Sequence, residues 1–448
     1  MSRAKALGVW TALALVVGNM VGTGAYLTPS TLGAYGTIGL VGWTLTALGA
    51  VCLALVFGRL GRIMPVEGGP YAYTRAAMGD APAFLVAWGY WVSVWVGNAA
   101  ISTAFVAYLT PFFPWLERSP LYTGAAAVAT IWLLTAVNVW GLREAALLQL
   151  FTTVLKLLPL LALGSLGLMA IHGANFRPMN VSGGSTISAV TATAALTLWG
   201  FLGLECATIP ADEVRDPERT IPLATVLGTV ATAAIYLLSA TAIMGVIPAH
   251  ELATTSAPYS AAATRIWGPM AGKLVGAGAA VAGFGVLNGW VIMQGQMPLA
   301  PARDGLFPPV FGRLSRRGTP VFSLVLSSAL ATVLVAANYT RGLVGLFEFA
   351  VLLGTVTVLA AYVGGSAAHI LFILREPRRF GGRGARRALV ISAVAFVYSL
   401  WAVVGSGWDA VFWGAVLMVL GIPIYLLGSA RRASMAADGA DGAEAADA

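Results

Sequence analysis

Two ionisable side chains stand out in a chain that carries little charge. Glu205 lies in the run "TLWGFLGLECATIPADE", which begins at Thr197, and Lys156 lies in "FTTVLKLLPLL". Charge at membrane depth is expensive, so an ionisable group placed there is kept for a partner or a task. A carboxyl at Glu205 can fill a polar gap as a neutral, hydrogen-bonded acid, or it can accept a proton and sense substrate charge. The Lys156 ammonium can snorkel, neutralise Glu205, or replace a coupling cation. Enzyme chemistry is not expected, because no G-x-S-x-G-like or metal-ligand run falls in the apolar segments. His172, His250 and His369 are scattered and predict no metal site, and no cofactor is expected.

The segment around Glu205 has a counterpart near the start of the chain. "GNMVGTGAYLTPS" places three glycines within seven residues from Gly18 and is followed by Pro29, while Gly200, Gly203 and Pro210 punctuate the second stretch. Each interior glycine costs about 1 kcal/mol relative to alanine in a helix. Both apolar segments are therefore expected to be interrupted. Hydrocarbon cannot satisfy unwound backbone, so something polar must. A half-helix beginning near Thr23 and Gly24 turns its positive end to the break, and the segment before it presents free carbonyls. A zwitterionic amino acid matches both, carboxylate to amides and ammonium to carbonyls. Close helix packing is the plainer use of such glycines, but two clusters at matched positions favour paired breaks. Trp199, Tyr90 and Trp290 each adjoin a glycine, in "LWGF", "AWGYW" and "LNGW". They can stack over a cation or close as gates, or simply pack the core. Asn98, in "WVGNAA", needs a partner inside the bundle.

The elements that would position these groups are membrane helices. The 448 residues are 58% hydrophobic and 10% charged, with a mean hydropathy of +0.82. About twelve apolar runs are long enough to cross a bilayer. They lie near 7–30, 37–60, 81–110, 121–140, 145–171, 185–209, 220–246, 270–299, 320–337, 344–374, 388–407 and 410–430. The expected fold is therefore an all-α polytopic membrane protein with interrupted first and sixth spans. With the N-terminus inside, 20 of the 26 Lys and Arg residues fall in loops on that side and five on the other, which places both termini in the cytoplasm. The net charge of +8 follows from that bias and predicts contact with anionic lipid, not a nucleic-acid partner. Cys52 and Cys206 fall in spans and predict no structural disulfide. The opening "MSRAKALGVWTALALVV" reads as an uncleaved first helix. Residues 434–448 are acidic, low in complexity and expected to be disordered. Breaks five spans apart imply that the second copy inserts upside down, as inverted-repeat transporters do.

In this set of residues the chain resembles the amino acid–polyamine–organocation superfamily, and most closely its bacterial arginine–agmatine and lysine–cadaverine antiporters. The similarity runs from "GNMVGTG" through "GRLGRIMPVEGGPYAY", "YWVSVWVGNAA", "WGFLGLECAT" and "VRDPERTIPLAT" to "DGLFPPVFGRL" and "WAVVGSG". It implies one transporter domain over 1–433, with repeats of about 7–171 and 185–374 and two further helices over about 388–430. It also implies alternating access around a midplane site, often in a homodimer, in a bacterial inner membrane. By motif, the substrate carboxylate would meet Met20, Thr23 and Gly24, and its ammonium the carbonyls around Trp199 and Leu202. Asn98 and Ile101 would line the side-chain pocket. Trp199 would cap the outer side. Trp290 would close the inner side, backed by Tyr90, Glu205 and Tyr362. Two departures accompany the resemblance. Lys156 matches the heteromeric-type and proton-coupled amino acid transporters, where a lysine stands in place of sodium. Gly354, in "FAVLLGTVTV", falls where the arginine exchangers place a hydroxyl. The resemblance thus implies a sodium-independent exchanger of a cationic amino acid for its decarboxylated amine. The alternative is a proton-coupled or exchange transporter of small neutral amino acids.

Overall fold

The structure, a computed structural model, describes residues 8–66, 68–140, 156–208 and 214–444. The protein is all-α. Its principal helices are α1 (Val9–Met20), α2 (Thr23–Gly33), α3 (Ile38–Ile63), α4 (Pro70–Met78), α5 (Asp80–Leu109), α6 (Pro120–Trp140) and α7 (Leu157–Ser165). They are followed by α8 (Thr186–Leu198), α9 (Pro217–Val246), α10 (Pro258–Trp267), α11 (Pro269–Gln296) and α12 (Val321–Asn338). The chain continues through α13 (Gly342–Arg375), α14 (Ala385–Gly405) and α15 (Trp408–Glu444). Among the described residues, nine stretches are long and apolar enough to cross a membrane, and one of these, 321–375, contains both α12 and α13. The expected span 145–171 begins outside the described residues, and α7 belongs to its later part.

The first apolar segment is interrupted where its glycines cluster. α1 ends at Met20, Val21 and Gly22 are extended, and α2 starts at Thr23. The sixth is interrupted over a longer stretch. α8 stops at Leu198, a single 3-10 turn covers Trp199–Phe201, Leu202 is extended, and a second short turn spans Cys206–Thr208. Gly203, between those turns, has φ +101, a left-handed conformation in which a side chain is strained. A Cβ there would also lie 2.9 Å from the Cβ of Asn19 in α1. The second break is thus seated directly on the first.

Around this centre, α5 is apolar and buried on nearly every face, the pattern of a helix enclosed by others. It packs along α13 and α11, while α3 packs on α9 and α8, α1 on α9, and α6 on α12. The peripheral helices turn apolar side chains outward, among them Val390, Val397 and Val404 of α14 and Trp413, Leu420 and Leu427 of α15. Such a surface is at home only against lipid. Cys52 and Cys206 are both free thiols. The acidic C-terminal segment differs from its expectation, since α15 runs on to Glu444. That segment is rich in alanine, the best helix former, and extending an existing helix avoids a new nucleation step.

Gly203→Ala is expected to destabilise the protein by about 2 kcal/mol or more, from backbone strain and the Asn19 clash. Gly173→Ala is the control, because nothing lies within 4 Å of its added Cβ. Thermal unfolding of the purified proteins checks this: equal Tm values for the two variants would contradict it.

Candidate functional site

A spanning helix that stops leaves carbonyls unpaired at its end, and in α1 two of them find side-chain donors. Lys156 Nζ donates to the Gly18 carbonyl, and Tyr236 Oη, from α9, donates to the Met20 carbonyl at 2.7 Å. Both donors are buried. Lys156 is held in turn by its own carbonyl, which accepts from Tyr26 Oη of α2. Of the three uses open to Lys156, the structure displays a bond to backbone. Neither snorkelling nor pairing with Glu205 is seen.

Glu205 occupies the second break and is fully buried. Its Oε1 accepts from Tyr90 Oη of α5 at 2.7 Å, and its Oε2 from Tyr362 Oη of α13 at 3.0 Å. Its own carbonyl accepts from the Thr208 backbone N–H and hydroxyl, at 2.8 and 2.7 Å. One carboxyl therefore ties the unwound segment to two helices. No ion pair reaches it among the described residues.

The two breaks and α11 enclose a cavity of about 10 Å³, room for about one water molecule. Met20, Ile101, Trp199, Leu202 and Trp290 all line it. Thr23 and Gly24 open α2 between Gly22 and Ala25, which line it too. The Trp199 indole is pressed against two glycines. A Cβ on Gly97 of α5 would lie 2.7 Å from it and one on Gly354 of α13 2.9 Å. The site is consequently closed around the indole.

Asn98 lies one turn before Ile101, outside the cavity wall. Its Nδ2 donates to Gln294 Oε1 at 2.7 Å, and Gln294 stands one turn beyond Trp290. Gln294 Nε2 donates to the Leu324 carbonyl at 3.2 Å and to Ser328 Oγ at 2.7 Å. Asn98 Oδ1 is buried and accepts no hydrogen bond among the described residues. Sequence reasoning missed Gln294 and Tyr236. The signal that singled out Asn98, a polar group in an apolar span, applies to both.

Below the site, two of the motif stretches meet although they are 233 residues apart. Tyr71 Oη of α4 donates to Asp304 at 2.6 Å, and Arg75 bridges Asp304 at 2.8 Å and Asp80 at 2.9 Å. Burial first, then the Asp304 hydrogen bond, holds the Tyr71 phenol above its ordinary range. The hydrogen bond to Asp80 raises Arg75. More than a third of each charged side chain is exposed, so solvent screens these pairs.

Comparison with known proteins agrees with this architecture. A family model described as amino acid permease matches residues 7–427. The putrescine transporter PotE of Escherichia coli K12 is 30% identical over 437 residues, 96% of this chain and 98% of the relative. Its Haemophilus influenzae counterpart is 29% identical over 428 residues, 95% and 97% of the two chains. A cadaverine/lysine antiporter of Escherichia coli K12 is 35% identical over 341 residues, 75% of each.

Tyr236→Phe removes the donor to the Met20 carbonyl and leaves a buried acceptor unpaired. It is expected to cost about 1–3 kcal/mol, seen as a lowered Tm. An unchanged Tm would mean that the carbonyl does not depend on that phenol.

Proposed function

The chain belongs to the amino acid permease family, and we propose that it exchanges a cationic amino acid for its decarboxylated amine by alternating access, without sodium. It is a multi-pass membrane transporter and not an enzyme. The observation that carries the proposal is the state of Glu205. It is fully buried at the central break, its carboxyl oxygens accept from the Tyr90 and Tyr362 phenols, and no ion pair reaches it among the described residues. Buried carboxyls are kept where a proton or a positive ligand will meet them. Lys156 does not serve Glu205, because its ammonium is engaged by the Gly18 carbonyl.

Within that class, the relatives' names favour aliphatic diamines, since putrescine and cadaverine are both of that type. Arginine with agmatine has the same logic, but Gly354 offers no hydroxyl to a guanidinium and the Trp199 indole already rests against it. We therefore place lysine with cadaverine, or a shorter homologous pair, ahead of arginine with agmatine. In this reading Met20, Thr23 and Gly24 meet the carboxylate, and the carbonyls around Trp199 and Leu202 meet the ammonium. Asn98 and Ile101 serve the side chain. Trp290, Tyr90, Glu205 and Tyr362 form the inner gate.

The helix pairings support the repeats proposed over 7–171 and 185–374. Exchanging first span with sixth and second with seventh turns the α1–α9 contact into the α8–α3 contact, and both occur. The excess of basic residues in alternate loops supports cytoplasmic termini, and the relatives' bacterial origin supports an inner-membrane location. The homodimer implied by the resemblance belongs to the same reading. A second reading, proton-coupled or exchange transport of small neutral amino acids, is favoured by the Lys156–Gly18 bond, which puts a fixed ammonium on the backbone of the first break.

Proteoliposomes preloaded with cadaverine, agmatine, alanine or nothing, and offered labelled lysine, separate these readings. Uptake is expected to be fastest with cadaverine inside; uptake driven equally by alanine would favour the second reading. Cadaverine-loaded vesicles no faster than empty ones would end the exchange assignment. Glu205→Gln is expected to flatten the pH dependence of that uptake, and a retained pH profile would remove Glu205 from the coupling.

A further inference from the structure

Away from the central site, a cavity of about 570 Å³ opens between the cytoplasmic ends of α3 and α9, α13 and the start of α14. Four guanidinium groups border it, from Arg59, Arg62, Arg379 and Arg387, together with His369. Its walls are otherwise largely apolar, including Val56, Ile63, Val226 and Ile391. Arg379 pairs with Glu376 at 3.3 Å, and Arg59 bonds the Gly381 carbonyl, which holds the 376–384 connection over the opening. The other acids nearby, Asp216 and Glu218, line an adjoining cleft with Arg62 and Arg219. No carboxylate pairs with Arg59, Arg62 or Arg387 among the described residues. His369 is buried, bonds Ser392 through Nδ1 at 2.8 Å, and leaves Nε2 without a partner among the described residues.

We propose that this cavity is a binding site for the phosphate headgroup of an anionic phospholipid from the cytoplasmic leaflet. Guanidinium groups recognise phosphate through paired hydrogen bonds, and unneutralised arginines gathered in one place have that chemistry to offer. A soluble phosphate ester would satisfy the charge but not the rest of the site. The flanking helices carry exposed apolar residues leading away from it, Leu223 and Leu227 on α9 and Val390 and Val394 on α14. Those faces are where acyl chains would lie while the headgroup occupies the basic end. Basic pockets between spanning helices on the cytoplasmic side hold lipid headgroups by this combination. Because α3 and α9 also pack on α8 and α1, the lipid braces the helices that carry the central breaks. The inference depends on the membrane setting and not on which substrate is moved.

Nanodiscs of phosphatidylcholine with or without phosphatidylglycerol, followed by native mass spectrometry, test the site. The wild-type protein is expected to retain phosphatidylglycerol in preference to phosphatidylcholine. Arg62→Gln combined with Arg387→Gln is expected to weaken that retention about 30-fold, at about 1 kcal/mol for each lost charge. Arg62→Lys with Arg387→Lys keeps the charges but not the paired hydrogen bonds, and is expected to retain the lipid more strongly than the glutamine variant and less strongly than the wild-type protein. Equal retention of the two lipids by the wild-type protein, or unaltered retention by the glutamine variant, would overturn the proposal. Glycerol 3-phosphate added in detergent is expected to leave Tm unchanged. A rise in Tm matching that given by phosphatidylglycerol would reassign the cavity to a soluble phosphate ester.

Discussion

Hydrocarbon offers no hydrogen bonds, so every peptide group freed by a break in a spanning helix must find its partner within the protein. Much else in this structure follows from that rule. The carbonyls at the end of α1 are met by Lys156 and Tyr236, and the carbonyl of Glu205 by Thr208. Lys156 and Tyr236 come from other spans, which fixes how the helices around the first break must pack, whereas Thr208 lies in the same broken span as Glu205. Tyr236 is carried by α9, which lies along both α1 and α3. The Lys156 ammonium bonds backbone and makes no ion pair with the carboxyl among the described residues. Glu205 is held by two phenols instead.

Closure of the site rests on the absence of side chains at two positions. The indole of Trp199 can lie between α5 and α13 because Gly97 and Gly354 leave it room. Glu205 ties the same two helices from the neighbouring turn through Tyr90 and Tyr362. Aromatic packing and the carboxyl network therefore act across one interface. The cavity of about 10 Å³ beside the indole is far smaller than an amino acid.

Much of this was legible in the sequence because the membrane simplifies the reading. The α11 and α13 spans, expected at 270–299 and 344–374, are helical over Pro269–Gln296 and Gly342–Arg375. The first break falls within "GNMVGTG", since glycine clustering inside an apolar run has few other uses. Glu205 and Lys156 were visible as rare charges, and the resemblance grouped Glu205 with Tyr90 and Tyr362, but the carbonyl that meets Lys156 was not visible. Whether an ammonium meets a carboxylate or a carbonyl depends on how two helices face each other, which no local pattern encodes. Tyr236 and Gln294 went unnoticed because one polar group in an apolar helix acquires meaning only once its neighbour is known. Of the residues 434–448 expected to be disordered, those up to Glu444 continue α15, in keeping with their alanine content, and 445–448 lie outside the described residues.

The amide at Asn98 illustrates how backbone can determine what a remote pocket has to offer. The Leu324 carbonyl can only accept, so Gln294 must direct its Nε2 toward it. That leaves Gln294 Oε1 to face Asn98, which must answer with its Nδ2. The remaining group, Asn98 Oδ1, is then an acceptor, buried and without a partner among the described residues, one turn from the cavity lined by Ile101 and Trp290. An unmet buried acceptor favours a ligand that brings donors. A second ammonium supplies donors, whereas the methyl of a small neutral amino acid does not. The orientation imposed through Gln294 is thus what leaves that acceptor open.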